Sequence, residues 1–189
     1  MCLHFSYGVD EVYGVKWGYN GFWKDPEYWV KLNVNLVKDI HKKGGSIIGA
    51  AWGGFDLDKI CNSLIERGIN LLFVIGGDGT HYACNMLIDE INKRGLNIAV
   101  CGIPKTIDND IPLIDKSFGY ETSCEYANKI IEAANVEAEC IPNGVGLVKV
   151  MGRDSGFIAM NASLANRDVN LCLIPEAKFM IEGEYGICS

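Results

Sequence analysis

Residues 71–80 read LLFVIGGDGT: an apolar run ends in a glycine turn, and the turn opens onto a helical pattern. Ala83, Leu87 and Ile91 share one face of residues 80–94, and Gly95 follows as a stop. A buried strand, a tight loop and an amphipathic helix therefore succeed one another. The unit then repeats. A second apolar run at 98–103 leads into PKTIDND, residues 104–110, where a lysine, a threonine and two carboxylates crowd one strand end. Strands that read as continuous apolar runs have both faces covered by helices, as in a parallel sheet. Right-handed crossovers set the loops that follow such strands on one edge.

The same alternation extends outward. Upstream, Asp25 caps a helix that starts at Pro26, carries Val30, Val34, Val37 and Ile40 as its stripe, and stops at Gly44 and Gly45. A short strand is expected at 46–50 and a helix at 56–67, with Ile60 and Leu64 inward and Gly68 as its end. Downstream, the expected order is helix 121–135, strand 145–150, helix 155–165 and strand 169–174. The class is α/β with a parallel sheet. No strand leads the chain, and EGEYGICS follows the last strand without a covering helix. Residues 1–189 are thus read as a single region, incomplete at both ends.

Composition narrows the function. A chain of 189 residues, 49% hydrophobic and 22% charged, has the balance of a globular domain with a real core. The formal charge of −7 and the lack of a basic block argue against a nucleic-acid partner. No apolar run approaches the ~20 residues of a membrane span, and the start lacks the pattern of a signal peptide. The eight cysteines include no CxxC pair and fall within helix and strand patterns, so they read as reduced thiols of a cytoplasmic protein. His4, His41 and His81 read as bland: His41 complements the dipole in a helix's last turn, and His81, next to GGDGT, reads as a helix-surface residue with reach to the nucleotide as the alternative. Trp17, Tyr19, Phe22 and Trp23 read as packing for the first segment.

Chemistry gathers in four loops that each follow a strand. In GGDGT, Gly76 and Gly77 leave amides free for phosphate oxygens, and Thr80 stands at a helix amino end that favours an anion. Asp78 beside phosphates calls for a cation between them, and Mg²⁺ suits it. As a plain structural feature the loop is a glycine turn with Asp78 as a solvated cap. In PKTIDND a carboxylate can take a hydroxyl proton while Lys105 neutralises a transferring group, and spacing leaves open which aspartate is the base. Taken only as structure, Thr106, Asp108, Asn109 and Asp110 make an Asx-type turn. Arg153 in MGRDSG, residues 151–156, is suited to clamping a phosphate. Glu176 follows the last strand. Either alone is an ordinary surface charge, but four such loops in succession point to one phosphotransfer site.

GGDGT, GIPKTIDNDIPLIDKSFGYET, GVGLVKVMGRDSGFIAM and NLCLIPE together resemble the phosphofructokinase family, in its plant-like and protist-like ATP-dependent branch. The resemblance runs from about residue 14 to 183. It implies a three-layer Rossmann-like parallel sheet of the phosphofructokinase type and ATP-dependent phosphorylation of fructose 6-phosphate in glycolysis. Asp108 would accept the proton of the sugar 1-hydroxyl, with Thr106, Ile107, Met151, Gly152, Arg153 and Glu176 lining the sugar site. Arg153 would also steady the transferred group, with Lys105 beside it. Gly53, Gly77, Asp78, Gly79 and Thr80 would contact the nucleotide, Asp78 would bind Mg²⁺, and Asp110 would orient the metal or the base. Members are commonly allosteric homotetramers.

Two positions bear on the choice of donor. Pyrophosphate-using relatives typically carry Asp in place of Gly79, so Gly79 favours ATP, whereas Lys105 is shared with those relatives. One departure stands out. Trp52 occupies the place of a family arginine that contacts nucleotide phosphates. A truncated, non-catalytic chain or partner subunit is therefore one alternative, and a pyrophosphate-dependent phosphotransferase is another. A kinase of NAD or lipid with the GGDGT loop is the remaining rival, against which PKTIDND and MGRDSG speak.

Overall fold

The computed structural model describes residues 7–188. His4 and the rest of residues 1–6, with Ser189, lie outside the described residues. The chain divides into two compact units. Unit 1 comprises residues 7–73 and 82–101, and unit 2 residues 74–81 and 102–188.

Unit 1 opens with β1 (Tyr13–Val15), paired antiparallel with β2 (Trp29–Lys31) in the register Tyr13 to Lys31 and Val15 to Trp29. This pairing corrects the long helix expected after Asp25. Asp25 does cap a helical turn, its carboxylate accepting from the Glu27 amide at 2.9 Å, but the turn ends at Tyr28. Trp29, Val30 and Lys31 then gain ladder partners and a ring contact from Trp29 to Tyr13, which a helix would forfeit. Helix resumes only as α1 (Val34–Val37), capped afresh by Asn33, and as a short turn at Ile40–Lys42. Residues 46–50 form a turn rather than a strand, with the Ser46 carbonyl accepting from the Gly49 amide.

The elements read from local signals stand where expected. Helix α2 (Leu57–Glu66) starts on Asp56, which accepts from the Lys59 amide, and ends before Gly68 in the left-handed region. The Ile69 and Gly68 amides return to the Leu64 and Ile65 carbonyls and close that end. Strand β3 (Leu71–Gly76), helix α3 (Asp78–Lys93) and strand β4 (Ala99–Pro104) follow. Hydrogen bonds advance in step from Asn70 O–Ala99 N to Gly76 O–Lys105 N, so β3 and β4 run parallel in a two-stranded sheet. The class is α/β, as read from the apolar runs.

The core of unit 1 is Phe22, Ile60, Cys61, Leu64, Leu87 and Ile91. Leu87 is fully buried, and Leu87→Ala is expected to cost about 2–5 kcal/mol in urea denaturation through lost contacts and the cavity left behind. A loss well under 1 kcal/mol would show that this core is not close-packed. Burial pushes the Cys61 and Cys84 thiols above their ordinary range, and Cys124 in unit 2 likewise. All seven described cysteines are free.

In unit 2, α4 (Tyr120–Glu139) packs against α5 (Phe157–Ala165). Tyr120, Cys124 and Ala127 meet Ile158 and Ala162, and the Tyr120 hydroxyl donates to the Phe157 carbonyl at 3.3 Å. The runs expected as strands at 145–150 and 169–174 form no strand pairing among the described residues. An extended run becomes a strand only when a neighbour supplies its hydrogen bonds, and none of the described residues does so there. Val145 and Leu147 are each 88% exposed as a result.

Candidate active site

Gly76 ends β3, and its carbonyl is the joint between two loops. It accepts the Lys105 amide at 2.8 Å, which pins the start of PKTIDND beside the start of GGDGT. It also lies 3.0 Å from His81 Nε2, so that nitrogen carries the hydrogen. The His81 ring stands against Gly102 of β4, where a Cβ would come within 2.8 Å of Nδ1, so only glycine leaves room for it. Sequence pattern favoured a helix-surface role for His81 over reach to the nucleotide, and the half-buried ring lies on the wall of a cavity.

That cavity, about 430 Å³, is lined by Asp78, His81, Gly102, Pro104, Asp110, Ile111 and Pro112. Two of the aspartates singled out in the sequence therefore face one space. Among the described residues no cluster of three His, Cys, Asp or Glu side chains is placed to hold a metal by itself. Nothing lies within 4 Å of a Cβ built on Gly79, so the loop is open beside Asp78.

The IDND segment is braced from several sides. The Asp108 amide donates to Thr106 Oγ1 at 3.3 Å. Asn109 sits in the left-handed region at φ 55°, which its short amide side chain tolerates. Its Oδ1 accepts the Ser117 amide at 2.8 Å, and its Nδ2 donates to the Asp115 carbonyl at 3.1 Å. Buried Ser117 donates its hydroxyl to the Thr106 carbonyl. Ser155 donates to the Asp108 carbonyl at 2.7 Å. Ser117 and Ser155 carried no signal in the sequence, because isolated serines have no pattern to betray distant partners.

The remaining residues fall into place by loop. Met151 and Arg153 are exposed, with Gly152 between them in the left-handed region. Glu176 Oε1 accepts the Gly156 amide at 2.7 Å, which ties the last loop to the MGRDSG loop. Lys105 is exposed and Ile107 packs on the α4–α5 core. Gly53 belongs to unit 1, in the left-handed region beside a fully exposed Trp52. Asn20 Nδ2 donates to the carbonyls of both at 3.4 Å.

A family model described as phosphofructokinase matches residues 2–188. This chain belongs to the phosphofructokinase family. An ATP-dependent 6-phosphofructokinase 7 of Arabidopsis thaliana is 54% identical over 98% of this chain and 38% of its own length. An ATP-dependent 6-phosphofructokinase of Borreliella burgdorferi is 50% identical over 95% of this chain and 40% of its own. The chain thus spans about two fifths of the curated phosphofructokinases it matches. Among solved structures, phosphofructokinase from Saccharomyces cerevisiae superposes with a TM-score of 0.68 at 26% identity, covering 82% of this chain and 23% of that one. A pyrophosphate-dependent phosphofructokinase from Nitrosospira multiformis gives a TM-score of 0.72 at 20% identity, covering 87% and 43%, and speaks to fold alone. Among the described residues no helix is long and apolar enough to cross a membrane.

Proposed function

We propose that this chain carries the chemistry of an ATP-dependent 6-phosphofructokinase, moving the γ-phosphoryl group of ATP to the 1-hydroxyl of fructose 6-phosphate. The observation that carries the reading is the joining of GGDGT and PKTIDND at Gly76, with Asp78 and Asp110 on one cavity. Two loops that differ in chemistry, one suited to phosphates and one rich in carboxylate, are held side by side at parallel strand ends.

In this reading Asp108 accepts the proton of the 1-hydroxyl as that oxygen attacks the γ-phosphorus in line. The bond from the γ-phosphorus to the bridging oxygen of ADP breaks as the new one forms. Arg153 and Lys105 offset the charge on the transferring group, while Thr106, Ile107, Met151, Gly152 and Glu176 hold the sugar. The amides of Gly77, Gly79 and Thr80 receive nucleotide phosphates. Mg²⁺ is characteristically held by one or two carboxylates together with substrate phosphates and water. Asp78, with Asp110 on the same cavity, is such a donor set, and the ion would supply charge neutralisation there.

Gly79 and the ATP-dependent relatives support ATP over pyrophosphate as donor. Free thiols throughout the described residues fit a cytoplasmic setting. Homotetramers and allosteric control belong to the same reading, by family likeness. Trp52 favours one rival, a non-catalytic chain that pairs with complete subunits.

The deciding experiment is a coupled assay of ADP release by the 189-residue chain, with calorimetric titration of fructose 6-phosphate alongside. Sugar-dependent ADP release by this chain is expected to be weak or absent, since Trp52 cannot supply the charge of the family arginine, and any fructose 6-phosphate-dependent release above background carries the assignment. Binding of fructose 6-phosphate without turnover would favour the non-catalytic chain. Neither binding nor turnover would overturn the assignment.

A further inference from the structure

Ser155 and Gly156 are adjacent, buried, and bonded to two different loops. The Ser155 hydroxyl donates to the Asp108 carbonyl at 2.7 Å, and the Gly156 amide donates to Glu176 Oε1 at 2.7 Å. The fit around this pair is tight. A Cβ on Gly156 would stand 2.6 Å from Ile174 Cβ and 2.7 Å from Glu176 Oε2, so a larger residue would push Glu176 away. A Cβ on Gly152 would stand 2.2 Å from the Ser155 carbonyl oxygen, so the loop bearing Arg153 also folds directly onto Ser155. Two segments from distant parts of the sequence meet the 151–156 loop at one dipeptide.

Asp108 is gripped at both ends of its backbone. Its amide donates to Thr106 Oγ1 and its carbonyl accepts from Ser155, while its carboxylate takes part in neither bond. Ser155 is only 5% exposed, so its bond is not in competition with bulk water. Without that hydroxyl the half-buried Asp108 carbonyl loses its side-chain donor, and the backbone around it shifts to recover one.

We propose that Ser155 is a positioning residue for Asp108. Its hydroxyl sets the rotation of the backbone from which the carboxylate hangs, and the next amide fixes Glu176 to the same point. The proton acceptor and the sugar-holding carboxylate are thereby held as one piece. The proposal rests on the reading that Asp108 takes the proton, and displacement of such a group by an ångström costs on the order of 100-fold in rate.

Ser155→Ala, Ser155→Cys and Ser155→Thr in the full chain test it. Cysteine keeps the volume and loses the strong donor, and threonine keeps the hydroxyl. Two measurements are made: hydrogen–deuterium exchange at residues 106–110, and the kinetics of fructose 6-phosphate-dependent ADP release. The expected result for alanine and cysteine is exchange about tenfold faster at 106–110, with α4 unchanged. The same variants should lose about 10- to 100-fold in kcat with KM for the sugar within about threefold, and threonine should restore most of both. Wild-type exchange at 106–110 in both alanine and cysteine variants overturns the proposal, whether or not the chain turns over. Faster exchange with undiminished kcat would show that Ser155 shapes the loop without positioning the proton acceptor, and it also overturns the proposal; the role of Asp108 itself is tested separately by Asp108→Asn.

Discussion

Asp108→Asn is expected to lower kcat for fructose 6-phosphate-dependent ADP release by about 100- to 10,000-fold, the range of a general base. Affinity for the sugar should stay within about threefold, because asparagine matches aspartate in size and keeps an acceptor oxygen. Fold should survive as well. The bonds that shape the loop use the Asp108 amide and carbonyl, the Asn109 side chain and Ser117, and none uses the Asp108 carboxylate. What asparagine lacks is the capacity to take a proton near neutral pH. Initial rates at saturating sugar, set beside calorimetric binding, separate the two effects. Undiminished turnover would remove Asp108 as the acceptor and reopen the choice with Asp110.

Gly79→Asp is expected to lower kcat/KM for ATP by about 100-fold, through repulsion between the added carboxylate and the nucleotide phosphates. The structure makes this a clean test of charge. A Cβ at this position meets nothing within 4 Å, and the residue lies in the first turn of α3, where an acidic side chain suits the helix dipole. The thermal midpoint should therefore move by no more than about 2 °C. Equal kcat/KM for ATP in the variant and the wild type would show that Gly79 does not face the nucleotide.

What was legible in the sequence was what neighbours in the sequence decide. Asp56 and Gly68 bracket α2 because caps act within a turn or two, and LLFVIGGDGT declares strand, turn and helix in one sweep. Asp25 was equally legible as a cap, yet its helix stops after one turn because Trp29–Lys31 is claimed by Tyr13–Val15. That competition is tertiary, and no local pattern announces it. The apolar runs at 145–150 and 169–174 show the converse, since apolar composition favours a strand but only a partner makes a ladder. At the site, charged and glycine-rich loops advertised themselves. The uncharged braces did not, because Ser117 and Ser155 act across 11 and 47 positions through single hydroxyls.

The twice-bonded carbonyl of Gly76 also determines where this chain can tolerate added length. Because that oxygen holds the Lys105 amide and the His81 ring together, the stretch from Gly76 to Lys105 is a closed circuit. One residue inserted into β3 or β4 would turn every following side chain to the opposite face and part the two loops. Gly44 and Gly45, with open space around both, carry no such obligation. A fused reporter or an inserted peptide belongs there, where lengthening the chain leaves the phosphate loop and the carboxylate loop in step.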